Sequence, residues 1–131
     1  MKKIMFALEK AYFQPELKAV CFGNYYDGEN RGYNCSAVYV EIKHNEPYAM
    51  RLATLEKICK RYHAKMRYYN NYGFPGWSAT VYEIIMESDY ENAMQAMKKQ
   101  DIALTAFYKA MQDGATQEKA IQAMKTAVNA A

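Results

Sequence analysis

The sequence predicts an α+β fold: an antiparallel β-sheet of about four strands, helices packed on one face, and a C-terminal helical hairpin. Three observations predict it. Apolar and polar residues alternate in residues 36–43 and 64–70, the two-residue period of a half-buried strand, and residues 77–86 place Tyr82, Ile84 and Met86 on one side. Tyr48, Leu52, Leu55, Cys59 and Tyr62 recur at helical spacing and form one apolar stripe. From Ser88 the chain carries helix start and stop signals, and after residue 92 it has a mild bias to Ala, Gln and Lys.

Taken in order, residues 2–13 fit either element: Ile4, Leu8, Ala11 and Tyr12 make a helical stripe, while Ile4, Phe6 and Leu8 make a strand face. Pro15 ends whichever forms. The apolar run 19–22 and the alternating run 36–43 read as a hairpin. Its connection, residues 23–32, holds Gly23, Gly28 and Gly32 among turn formers and reads as a long loop decorated with tyrosines. Val38, Val40 and Ile42 share one face of the second strand, and Tyr39, Glu41 and Lys43 the other. A helix over 46–63 follows, with Asn45 as N-cap and Pro47 in its first turn. Residues 64–70 then place Met66 and Tyr68 opposite Lys65, Arg67 and Tyr69. The loop 71–76 turns the chain into a strand over 77–86 bearing Tyr82, Ile84 and Met86 on one side. Ser88 and Glu91 have the spacing of a capping box. Asp101 interrupts the stripe Tyr90, Met94, Met97, Leu104, Tyr108 and Met111, which predicts a break there. Gly114 and Thr116 predict a stop and a restart, with Ile121, Met124 and Val128 on the last helix. These elements suit one domain over 1–131, with 1–87 forming the sheet plus one helix and 88–131 helical.

At 131 residues, 51% hydrophobic and 24% charged, the composition is that of a globular protein and excludes a disordered or fibrous one. No apolar run approaches the ~20 residues of a membrane span. The opening MKKIMFAL is cut short by Glu9 and Lys10, unlike a secretory signal, so a cytoplasmic protein is expected. Cys21, Cys35 and Cys59 are odd in number and widely spaced, which indicates reduced thiols and no disulfide framework. The net charge of +3 conceals a basic middle: residues 43–77 carry seven basic groups against Glu46 and Glu56.

Catalytic and metal signatures are thin. The glycines of 23–32 match neither phosphate-loop nor dinucleotide pattern, and no cofactor is indicated. Cys59 and His63 stand four apart on a helix, but Cys59 belongs to the apolar stripe and His63 to the helix end, so no metal site is expected. Cys35, Ser36, Ser78 and Ser88 are nucleophiles without flanking signatures, and His44 and His63 are the only histidine bases. A small-molecule enzyme therefore ranks last.

Binding is the expected mode of action. The 13 tyrosines exceed what the core needs, and tyrosine suits interfaces because it joins an apolar body to a polar tip. Tyr25, Tyr26 and Tyr33 in one loop and Tyr72, Phe74 and Trp77 in another are the expected anchors for a protein or nucleoprotein partner. Small proteins that lack catalytic motifs, such as phage or plasmid inhibitors of host nucleases, act in this way. The alternative is single-stranded RNA or DNA held on a sheet face of Tyr39, Lys43, Lys65, Arg67 and Tyr69, where rings stack on bases and cations meet phosphates. The low net charge of +3 favours a solvated face instead, with Lys43 and Arg67 paired to Glu41 and Glu83 across strands. Residues 102–129 offer an apolar helical hairpin for a homodimer.

Overall fold

A computed structural model describes residues 1–75 and 77–131, the side chain of Phe74 excepted. Helix α1 (Lys2–Lys10) opens the chain and resolves the ambiguity of residues 2–13. Ile4 and Leu8 are buried while Phe6 is 66% exposed, which only the helical period allows. Its end is a Schellman stop: Tyr12 takes φ 67°, and the amides of Tyr12 and Phe13 donate to the carbonyls of Glu9 and Leu8.

Strands β1 (Glu16–Tyr26) and β2 (Asn30–Lys43) form a hairpin whose turn is only Asp27-Gly28-Glu29. The long loop expected over 23–32 is therefore a correction: Tyr25, Tyr26 and Tyr33 lie in strands. Gly23 misled because its role is not a turn. It takes φ +67°, and a Cβ there would run into the backbone carbonyl of Ala96.

Helix α2 (Tyr48–Arg61) is followed by His63 at φ 55°, then by β3 (Ala64–Phe74) and β4 (Trp77–Met86). The sheet is antiparallel, in the order β1-β2-β4-β3. Strand β3 extends through Tyr72, which sequence reading assigned to a loop because Asn70, Asn71 and Gly73 resemble turn residues. Trp77 likewise opens β4 and is not a loop residue.

Helix α3 (Glu87–Gln112) is continuous, correcting the break expected at Asp101. Asp101 is exposed, so its carboxylate rides on the solvent side without a cost in burial. The helix begins at Glu87, which puts Ser88 inside its first turn. Gly114 at φ +86° and Thr116, whose hydroxyl accepts from the Lys119 amide, separate α3 from α4 (Gln117–Ala130) as expected.

The chain divides into two compact units, Met1–Val20 with Ser36–Tyr90, and Cys21–Cys35 with Glu91–Ala131. In the first, Ile4 and Leu8 of α1 and Leu55 and Cys59 of α2 cover one sheet face, meeting Val38, Val40, Ile42 and Ile84. Arg51 ties the two helices together: its guanidinium donates to the carbonyls of Ala11 and Tyr12 and lies 3.8 Å from the Phe13 ring centre. In the second unit, Tyr25, Ala103 and Met124 form a buried cluster flanked by Leu104, Phe107, Ile121 and Val128.

Candidate binding face

Strand pairing in the first unit arranges side chains in rows across the face opposite α1 and α2. Paired residues point the same way. Tyr39, Glu83 and Arg67 form one row, Glu41, Val81 and Asn70 the next, and Lys43, Ala79 and Tyr72 a third. The third row exists because of a β-bulge. Tyr68 opposes Tyr82 and Asn70 opposes Val81, so Tyr69 is an added residue and the alternation beyond it changes parity. Without the bulge, Tyr72 would point to the helix side.

Glu83 anchors the first row. It is 1% exposed, yet both oxygens are used: Oε2 accepts from the Tyr39 hydroxyl at 2.7 Å, and Oε1 from Arg67 Nε at 2.6 Å. Burial and the bond to Glu83 push the Tyr39 phenol far above its ordinary range, so the ring stays a neutral donor. Tyr69 stands edge-on to Tyr39 with ring centres 4.9 Å apart, and Tyr72 edge-on to Trp77 at 5.5 Å. Lys43 Nζ lies 5.9 Å from the Trp77 ring centre and Lys18 Nζ 5.4 Å from that of Tyr39. Of these groups Lys18, Tyr39, Lys43, Tyr69 and Tyr72 border a groove of about 670 Å³.

The cations of this groove have partners. Lys18 pairs with Glu16 at 3.6 Å, Arg51 with Glu46 at 3.2 Å, and Lys43 rests on Trp77. Glu41 lines the groove as well, so its formal charges cancel, three against three. Arg67 is committed to Glu83, as the solvated reading of this face expects, while Lys43 turns to Trp77.

The two sets of predicted residues are thus redistributed. Tyr39, Lys43, Arg67 and Tyr69 share the face as expected, Lys65 lies at the same parity opposite Ile85, and Tyr72 and Trp77 join them. Tyr25 and Tyr33 belong instead to the second unit, where they border a separate pocket of about 880 Å³. Tyr25 is buried and serves the core there, whereas Tyr26 is exposed. Phe74's side chain lies outside the described residues. Sequence reading missed Lys18, which had no strand assigned to it, and gave no sign that Glu83 would be buried. Its one available signal was position: Glu83 falls opposite both Tyr39 and Arg67 once the strands are aligned.

Cys59 is buried, and desolvation pushes its thiol up to about 11. Burial and a hydrogen bond with Tyr48 push the Tyr82 phenol up to about 12. Among the described residues no cluster of three or more His, Cys, Asp or Glu has metal-binding geometry, and no helix is long and apolar enough to cross a membrane.

The fold and face together define a small α+β protein with an aromatic groove on an antiparallel sheet. The chain matches no protein-family model, no curated protein and no solved structure.

Proposed function

We propose that this protein acts by binding, in the cytoplasm, and that its partner is a protein or the protein part of a nucleoprotein assembly, gripped on the Tyr39–Tyr69–Tyr72–Trp77 face. The observation that carries the reading is the pairing of one exposed and three half-buried rings with cancelled charge. Tyr69 is 54% exposed and poised beside a Tyr39 locked by Glu83, a preorganised aromatic platform. A groove with three cations and three carboxylates exerts little net pull on a polyanion, and suits a polypeptide segment carrying apolar side chains and both signs of charge. Binding of single-stranded nucleic acid is the competing outcome. A photo-crosslinking amino acid at position 69 identifies the partner, and calorimetry then measures it against Tyr69→Ala and Trp77→Ala. Each variant is expected to weaken binding by more than ~1 kcal/mol, the mark of an interface anchor. A partner bound equally by both variants would refute this site. Oligonucleotide binding with a steep salt dependence that Tyr69→Ala abolishes would assign the face to nucleic acid instead.

A further inference from the structure

His44 follows β2 directly, and both of its ring nitrogens are engaged. Nδ1 lies 2.6 Å from Ser78 Oγ and Nε2 lies 2.7 Å from Thr80 Oγ1. Ser78 and Thr80 are two apart on β4, so both hydroxyls point the same way. The backbone amide of His44 donates to the Ser78 carbonyl at 2.9 Å, fixing the ring's approach. Thr80 in turn donates its hydroxyl proton to Asn71 Oδ1 at 2.7 Å. A hydroxyl has one proton to give, so toward His44 Thr80 can only accept. Nε2 therefore carries the hydrogen of the neutral imidazole, and Nδ1 presents its lone pair to the Ser78 hydroxyl. Thr80 is 6% exposed, which shields this orienting bond from water, and the Tyr48 ring packs edge-on to the imidazole at 5.5 Å.

This is the arrangement of an activated nucleophile: a hydroxyl, a base within hydrogen-bond reach, and a third group that sets the base's tautomer. We propose that Ser78 is a nucleophile toward carboxylic esters, with His44 as its general base and Thr80 and Asn71 as positioning residues. The proposal goes beyond the binding face and does not depend on it. Ser78 Oγ forms a bond to the ester carbonyl carbon as its proton passes to His44 Nδ1. The bond from that carbon to the leaving alcohol's oxygen then breaks, and the alcohol departs with the proton held by the imidazolium. Water repeats the sequence on the acyl-serine, releasing the acid and restoring Ser78. Ester and water are the only reactants.

The test incubates the full chain with p-nitrophenyl acetate and, separately, with a fluorophosphonate probe that loses fluoride to an activated serine. Peptide mass spectrometry reads the modified residue, and circular dichroism verifies that each variant is folded. The expected result is an adduct on Ser78, absent in Ser78→Ala and formed at least ~100-fold more slowly in His44→Gln, the scale of general-base assistance. His44→Asn replaces His44→Gln should the latter fail to fold. Thr80→Val is expected to slow labelling ~10-fold. In that variant, the ring ¹⁵N shifts of His44 should change from a single Nε2–H tautomer to a mixture, which a merely structural threonine would not produce. No adduct on Ser78, equal labelling in the folded His44 variant, or an Nδ1–H tautomer in the parent protein would each overturn the proposal.

Discussion

Substituting Glu83 with glutamine removes a negative charge from beneath Tyr39 and Arg67 while preserving the shape of the side chain. In the parent protein each carboxylate oxygen accepts one hydrogen bond, from Tyr39 at 2.7 Å and from Arg67 at 2.6 Å. Hydrogen bonds to a charged group contribute ~1.5–3 kcal/mol, against ~0.5–1.5 for neutral pairs. The amide keeps both contacts, with its oxygen toward Arg67 and its NH₂ toward a Tyr39 hydroxyl rotated to accept. Two bonds each weakened by about 1 kcal/mol suggest ~2 kcal/mol; Arg67 is 32% exposed and regains water, so ~1–2 kcal/mol is the expected loss. Glu83→Ala, which leaves the Tyr39 hydroxyl without its acceptor and opens a cavity, should cost ~3–5 kcal/mol. Replacing both Glu83 and Arg67 by methionine should cost less than the two single changes together, because a buried ion pair and an apolar pair of similar volume differ little. Urea denaturation of the five variants and the parent, with a double-mutant cycle on the methionine changes, measures all of this. A Glu83→Gln protein within 0.5 kcal/mol of the parent, or additive methionine effects, would refute the claim that Glu83 holds the face together.

Three further outcomes are expected. Tyr12→Gly should stabilise the protein by ~0.5–1 kcal/mol, since an 89% exposed tyrosine at φ 67° gives up little packing and glycine relieves the strain; an unfolding midpoint that falls would show that the ring is held. Leu55→Ala should cost ~2–5 kcal/mol, because Leu55 is wholly buried between α2 and the sheet, and a smaller loss by denaturant titration would mean the site collapses. Stability should be full below pH 9 and fall as pH rises from 9 toward 11–12. The unfolded chain ionises Cys59 and Tyr82 near 9.0 and 10.0, whereas the folded chain holds their protons to about 11 and about 12. Cys59→Ala should flatten the first part of that fall, and an unchanged profile would refute the assignment.

Local signals that agreed with each other were legible. The helix expected over 46–63 forms over Tyr48–Arg61, with Pro47 and not Asn45 at its N-cap, and the strand over 77–86 and the Gly114–Thr116 junction form where expected. Errors arose where one residue type serves two purposes. Gly23 reads as a turn former but is needed for close approach to Ala96, and Asp101 reads as a cap but is simply a solvated helix residue. The candidate face was half legible. Alternation placed Lys65, Arg67 and Tyr69 together, but strand order is non-local, so the Tyr39–Glu83–Arg67 row required the β2–β4–β3 alignment. The meeting of His44 with Ser78 depends on the same alignment and leaves no trace in spacing along the chain.

The bulge at Tyr69 makes the make-up of the groove a matter of counting. Alternation is a phase, and one added residue shifts it for the rest of the strand. Any side chain at position 69 preserves that phase, so substitutions there alter one ring only. Loss of a single codon at the bulge restores strict alternation and leaves Asn71 opposite Thr80 and Tyr72 opposite Ala79, because the register beyond the bulge is unchanged. Loss of a codon after it, with the bulge kept, steps Tyr72 into the place of Asn71, opposite Thr80 and away from Trp77. The bulge is thus the one place where this strand can give up a residue without rewriting a side of the groove, and here length carries information that residue identity alone does not.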